Sequence, residues 1–373
     1  MPSHVSEVAD SAAISPNGRL LRLDGLRWWA AFLVFLSHAI PKDYQWGVQW
    51  GTYAVLFFFV LSGFVITRSM QFGWVSVGDG YGLLRWWGGF IRKRVFRILP
   101  PFLMVMLSIQ LFVPEALGPN AWEYWLFLAN MSMFWHEVMH PASAHLWSVA
   151  VEEQFYLVWP SLFAFGHWMY HRSGSLRKYF FLLVCCGVVI RLLGYGGLFP
   201  SMYREQAMPM VFEALMVGAL MTTVKPFENL GSARVLMSVA ILAFLIGAFS
   251  GPLGMSQLSR FASKELCYQA VILMSACCII RSGAGEVGWK LDGALLNAPV
   301  QYGGQFSYGF YLYHVPLLYL IQSQWPMHWI LTALLTLLLS ICVSIGSFEC
   351  IERPLMRWNQ KAMAVRPAGS SQP

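Results

Sequence analysis

The chain alternates long apolar runs with short polar stretches, and the runs are longer than the helices of a water-soluble core need to be. Runs of about 16–23 residues lie near 26–41, 52–70, 95–113, 146–167, 178–195, 206–224, 234–250, 265–281, 305–323 and 328–350. A helix rises about 1.5 Å per residue, so about 20 apolar residues cross the hydrocarbon layer of a bilayer. Each run therefore predicts a membrane helix, and the pattern as a whole predicts an all-α polytopic membrane protein, a bundle of about ten transmembrane helices. The stretch "AWEYWLFLANMSMFW" (Ala121–Trp135) is shorter and carries Glu123 and Asn130. It reads either as an eleventh span or as a segment lying on or dipping into the membrane.

Composition supports the choice of solvent. Hydrophobic residues make up 57% and charged residues 12%, with a mean hydropathy of +0.54, whereas soluble domains carry roughly 25% charge. No internal repeat of fixed period appears, and no soluble segment exceeds a loop. The organisation expected is a disordered cytoplasmic tail over 1–22, one membrane domain over 23–357 and a cytoplasmic C-terminal tail over 358–373. The first tail holds Glu7 and Asp10 and no apolar run, so it reads as neither signal peptide nor anchor. The seven cysteines fall in apolar stretches without metal-site spacing or disulfide density, which reads as core and calls for no metal.

Charge adds orientation. A net +7 raises the question of nucleic acid, but the basic residues sort by membrane side, so no nucleic-acid partner is expected. With ten spans and both termini cytoplasmic, 20 of the 25 Lys and Arg residues fall on the cytoplasmic side. Lys42, Arg204, Arg260 and Lys264 face out and Arg191 lies within a span. An eleventh span would divide them 12 and 12, so the positive-inside rule favours ten.

Four groups of residues carry candidate chemistry. Arg27 and His38, eleven residues apart, share one helix face about 16 Å apart, which puts Arg27 at the cytoplasmic end and His38 well inside the bilayer. Arg94 and Arg97 lie one turn apart at the start of the third span, before Pro100 and Pro101; two guanidiniums on one face make a fork for phosphate. In "HLWSVAVEEQFYLVWP" (His145–Pro160), Ser148, Glu152 and Tyr156 fall at i, i+4 and i+8 and form one polar stripe, while Glu153 points about 100° away. In "FSYGFYLYHVPL" (Phe306–Leu317), His314 competes with His38 for a catalytic role, though its aromatic neighbours suit packing. Ser62 and Gly63 most simply allow close helix approach. Intramembrane ionisable groups lean towards function, and the set suits two classes. One passes a group from a phosphorylated cytosolic carrier to the far side; the other is a proton-coupled transporter with a His/Glu relay.

The ordered set of Arg27-x10-His38, "LSGFVI", Arg94-Val-Phe-Arg97 before "ILP", "HLWSVAVEEQFYLVWP", "SYGFYLYHVPL" and "IERP" resembles the acyltransferase 3 family of integral membrane O-acyltransferases, over about residues 20–357. Family members are bacterial inner-membrane, multi-pass proteins of ten or eleven helices that modify cell-surface glycans, antibiotics and lipids, many using acetyl-CoA. The resemblance implies that His38 is the essential histidine, as general base or acyl carrier, with Glu152 beside it in catalysis. It implies that Arg94 and Arg97, with Arg27, hold the phosphates of acyl-CoA; Arg27 pairing with Asp24 is the alternative. Ser148, Tyr156 and His314 become support for substrate or structure, and Glu153 is left to helix-side structure or a pair with Arg191. Some members carry an extracytoplasmic hydrolase-like domain. The end at Pro373 resembles the stand-alone members, which complete transfer unaided or hand over to a periplasmic partner protein. The acceptor implied is a carbohydrate or glycoside such as lipopolysaccharide O-antigen, exopolysaccharide or a small glycoside, with membrane lipid as the other partner.

Overall fold

The computed structural model describes residues 20–45, 48–74, 80–170, 175–198, 204–225, 229–253, 257–284 and 291–364. Among them every regular element is helical. The long helices are α1 (Leu21–Ala39), α2 (Trp50–Trp74), α3 (Gly80–Phe112), α4 (Leu146–Tyr170), α5 (Leu176–Leu193), α6 (Met208–Met221), α7 (Leu230–Leu253), α8 (Gln257–Gly283), α9 (Ala298–Gln324), α10 (Trp329–Ser347) and α11 (Arg353–Ala364). Each of the ten apolar runs overlaps one of α1–α10, with differences of a few residues at the ends. Six helices, α2, α3, α5, α7, α8 and α10, are long and apolar enough to cross a membrane. The tails over 1–19 and 365–373 lie outside the described residues; from residue 358 to Ala364 the second tail is the end of α11.

The stretch Ala121–Trp135 does not form one helix. It folds as Ala121–Trp125 and Ala129–His136, of 5 and 8 residues, each too short to span. Phe127 between them adopts φ 56°, and Glu137 ends the second at φ 53°, left-handed conformations that a helix cannot continue through. Asn130 fixes the second piece to α4 by a reciprocal amide pair with Gln154, at 3.1 and 2.7 Å.

Close packing depends on small residues. A Cβ on Gly63 of α2 would stand 2.0 Å from the Leu215 carbonyl oxygen of α6, and one on Gly218 of α6 would stand 2.0 Å from the Val60 carbonyl oxygen. The two backbones therefore touch where only glycine fits, which brings α2 and α6 together as helices in membranes do at small residues. At the other end of the chain, Arg22 clamps Asp292 with Nε and Nη2 at 2.8 and 2.9 Å, tying the start of α1 to the segment before α9. After α10 the chain makes a π-turn over Phe348–Glu352 before α11.

Two expectations change. All seven cysteines are free, but only Cys267, Cys277 and Cys278 are buried; Cys185, Cys186, Cys342 and Cys350 lie on outer faces, where a lipid-facing helix is as apolar as its core. Arg191 does not reach Glu153. It pairs with Glu265 of α8 (Nη2 to Oε2, 3.0 Å), donates to the Met210 carbonyl (3.2 Å) and lies over the Tyr268 ring at 3.2 Å. A guanidinium near the end of α5 finds its carboxylate on the helix packed beside it.

Candidate active site

The polar stripe of α4 turns into the bundle as its spacing requires. Ser148, Glu152 and Tyr156 line one cavity of about 70 Å³, opposite Arg27 of α1, Ser62 of α2, and Arg94 and Arg97 of α3. Tyr308 and Tyr311 of α9 complete its wall. The Glu152 carboxylate accepts hydrogen bonds from the Ser62 hydroxyl at Oε1 and from the Tyr156 hydroxyl at Oε2, the latter 3.3 Å long. Ser62 thus has a role beyond helix approach, one that its place beside Gly63 in sequence conceals.

The arginines enter this cavity differently. Arg94 lies over the rings of Phe90 and Tyr156, 5.5 Å from each centroid, and its Nε is buried without a partner. Buried donors in folded proteins are almost always satisfied, so this one calls for a ligand acceptor. Arg97 feels the charge of Glu352, whose Oε1 accepts from Ser347 (2.9 Å), itself the acceptor of the Tyr313 hydroxyl (3.0 Å). Among the described residues Arg27 forms no ion pair, with Asp24 or otherwise, and it faces the cavity. The Glu352 of "IERP" is a residue that linear spacing gives no reason to join to Arg97; the π-turn brings it there, and such turns recur at functional sites.

His38 is not in this cavity. It is the next-to-last residue of α1 and so stands at the end of that helix rather than at its middle. Pro41 accounts for this, because the residue before a proline is pushed out of helical conformation. What the fold brings to His38 is His314, fully buried in α9. Nδ1 of His38 lies 3.1 Å from Nε2 of His314, and Nδ1 of His314 lies 3.1 Å from the Phe310 carbonyl oxygen. A carbonyl only accepts, so Nδ1 of His314 carries the hydrogen and its Nε2 offers a lone pair. With both rings neutral, Nδ1–H of His38 donates to that lone pair, and Nε2 of His38 keeps its own lone pair for chemistry.

A third imidazole stands beside this pair. His145, buried, donates from Nε2 to the Leu312 carbonyl oxygen at 3.0 Å and leaves Nδ1 without a partner. Its ring centroid is 5.8 Å from that of His314. Tyr311 connects the two parts of the site: its ring packs against His145 and His314 at 5.8 and 5.7 Å, while its hydroxyl lies 2.6 Å from Ser148 Oγ on the cavity wall. His145 and Tyr311 carry no periodic signal that would mark them; their sequence neighbours read as a span boundary and an aromatic packing run. Of the expected site residues, Arg27, Arg94, Arg97, Ser148, Glu152 and Tyr156 converge on one cavity. His38 and His314 form a separate pair behind Tyr311.

The structure is an all-helical bundle with membrane-length helices, a cavity lined by arginines and a carboxylate, and a histidine oriented by another histidine. The chain belongs to the acyltransferase 3 family, whose model, described as an acyltransferase domain, matches residues 20–349. It is similar to a protein named as a putative peptidoglycan O-acetyltransferase, YrhL, of Bacillus subtilis, 27% identical over 364 residues, 89% of this chain and 54% of that protein. It is likewise similar to the peptidoglycan O-acetyltransferase OatA of Listeria monocytogenes, 26% identical over 354 residues, 90% of this chain and 55% of that protein. The O-acetyltransferase OatA of Staphylococcus aureus is 24% identical over 374 residues, 94% of this chain and 59% of that protein. The chain thus spans about half the length of the curated relatives it matches. No solved structure matches it significantly.

Proposed function

We propose that this chain is a membrane-embedded O-acyltransferase that moves an acetyl group from cytosolic acetyl-CoA to a hydroxyl of a cell-surface or lipid-linked carbohydrate. The observation that carries the reading is the tautomer chain from the Phe310 carbonyl through His314 to His38, which leaves the lone pair of His38 Nε2 unengaged. As a base, Nε2 takes the proton of the acceptor hydroxyl while its oxygen bonds to the thioester carbonyl carbon; the carbon–sulfur bond then breaks and the thiolate leaves. As a carrier, Nε2 itself bonds to that carbon as the carbon–sulfur bond breaks and the thiolate leaves; the acceptor oxygen then bonds to the carbon, the carbon–nitrogen bond breaks, and the hydroxyl proton passes to the released Nε2. Both routes need the thioester to pass Tyr311, which stands between the arginine cavity and the histidines.

The same reading sets ten helices across a bacterial inner membrane, with both termini cytoplasmic. The supporting observation is the sorting of basic residues, and the broken helix over Ala121–Trp135 fits it. Peptidoglycan, in the names of two relatives, is an acceptor that no motif of this sequence signals; it becomes the first glycan to test, ahead of O-antigen and exopolysaccharide. A proton-coupled transporter asks for a hydrogen-bonded path from His38 to Glu152. Instead, the bonds from His38 run to His314 and the Phe310 carbonyl, and Glu152 is held by Ser62 and Tyr156. Mass spectrometry of surface glycans with and without the gene tests the proposal. An added acetyl mass on one glycan class supports it, and unchanged covalent structure with a displaced solute supports transport.

A further inference from the structure

Two larger clefts lie at the ends of α1 and α2 nearest Leu20 and Phe72, and one of them adjoins the arginine cavity. One, of about 580 Å³, shares Arg27 and Arg97 with the inner cavity; the other, of about 500 Å³, is lined by Gln71 and Thr222. The two clefts have Arg68 in common. Cations therefore succeed one another outward: Arg94, then Arg27 and Arg97, then Arg68.

The sorting of basic residues by membrane side makes Arg68 one of the cytoplasmic charges that set topology. That reading explains a positive charge near the end of a span, but not its setting. Its guanidinium lies over Phe64 at 5.8 Å and Phe72 at 5.7 Å, one turn to either side, and it forms no ion pair among the described residues. Two rings that hold a guanidinium reduce the rotamer freedom lost when it binds an anion. Beyond it, Gln71 Nε2 donates to Thr222 Oγ1 at 3.0 Å, and both residues line the second cleft.

Charge and size divide a ligand along this track. The inner cavity, about 70 Å³, sets its arginines against Glu152, with Glu153 and Glu352 close by; it suits a thin, uncharged chain. The 580 Å³ cleft sets Arg27, Arg68 and Arg97 against Asp24, and both clefts fall in the size range of small-ligand pockets, roughly 300–1,000 Å³.

We propose that Arg68, held between Phe64 and Phe72, forms an outer anion subsite for the phosphomonoester of the donor's nucleotide. Arg27 and Arg97 then face its diphosphate, and the inner cavity takes the uncharged thioester arm. This rests on acetyl-CoA being the donor. Calorimetry on the detergent-purified full chain, with acetyl-CoA and with acetyl-dephospho-CoA, which lacks only that phosphate, tests it. The unaltered protein should bind acetyl-CoA at least tenfold more tightly than the dephospho form. Arg68→Gln should weaken acetyl-CoA to the dephospho level and leave the dephospho form unchanged, so that the preference disappears. Equal binding of both ligands by the unaltered protein, a comparison that needs no variant, would overturn the subsite and leave the donor reading standing. So would an Arg68→Gln protein that keeps the preference or weakens both ligands alike. Failure of the unaltered protein to bind either ligand would overturn the donor reading, and the subsite with it.

Discussion

Nδ1 of His38 and Nε2 of His314 stand 3.1 Å apart, and the Phe310 carbonyl on the far side of His314 decides which of them carries the hydrogen. One histidine thereby sets the tautomer and ring orientation of the other, and in the proposed reaction His314 acts through His38 as a positioning residue.

His314→Ala should therefore lower acyl transfer by about 10–100-fold, with normal abundance in the membrane, because its hydrogen bond to His38 becomes charge-assisted, worth about 1.5–3 kcal/mol, when Nε2 of His38 takes the proton. His314→Gln offers a side-chain oxygen that accepts from Nδ1–H of His38 and should recover part of the loss. A Gln variant no better than Ala would reduce His314 to packing.

Gly63→Ala should destabilise the bundle by about 1–3 kcal/mol, the usual cost of overpacking, because its Cβ would meet the Leu215 carbonyl oxygen at 2.0 Å. Gly88→Ala, with nothing within 4 Å, should be neutral or slightly stabilising, as alanine is the better helix former. Thermal unfolding of the two proteins in one detergent checks the contrast; equal midpoints would mean that α2 and α6 do not touch at Gly63.

The helices and the polar stripe were legible in the sequence because both depend on periodicity: apolar run length gives the membrane helices, and i, i+4, i+8 spacing put Ser148, Glu152 and Tyr156 on one cavity wall. The Arg94 and Arg97 pair was legible for the same reason. What depends on contacts between distant segments was not. The link between His38 and His314 crosses 276 positions, the Ser62 bond to Glu152 crosses 90, and the partner of Arg191 is on α8 rather than α4. His145 was not legible either, because its buried, unpartnered Nδ1 is defined only by the packing of α9.

Replacing Arg94 and Arg97 together with Lys keeps the charge that sets topology but removes the planar fork and its buried Nε. The double variant should insert normally and bind acetyl-CoA more than tenfold more weakly, since charge-assisted hydrogen bonds contribute about 1.5–3 kcal/mol each. Arg92→Lys should be close to silent. Competition binding on purified protein measures both, and parental affinity in the double variant would leave the pair a structural role only.

Single cysteines in a variant cleared of native thiols test the arrangement across the membrane. Positions Gly174 and Gly285, which lie outside the described residues, should be shielded from impermeant reagents in intact cells, and Asn120 should react. Labelling of Gly174 from outside would reverse everything after the Ala121–Trp135 segment.

Purified protein in liposomes, given acetyl-CoA labelled in its acetyl group and a peptidoglycan fragment, tests the central claim most directly. The label should appear as an ester on the glycan, and His38→Ala should cut its rate by about 10²–10⁴-fold at equal protein. Transfer by His38→Ala at the parental rate would contradict the assignment of His38 as the group that performs the reaction.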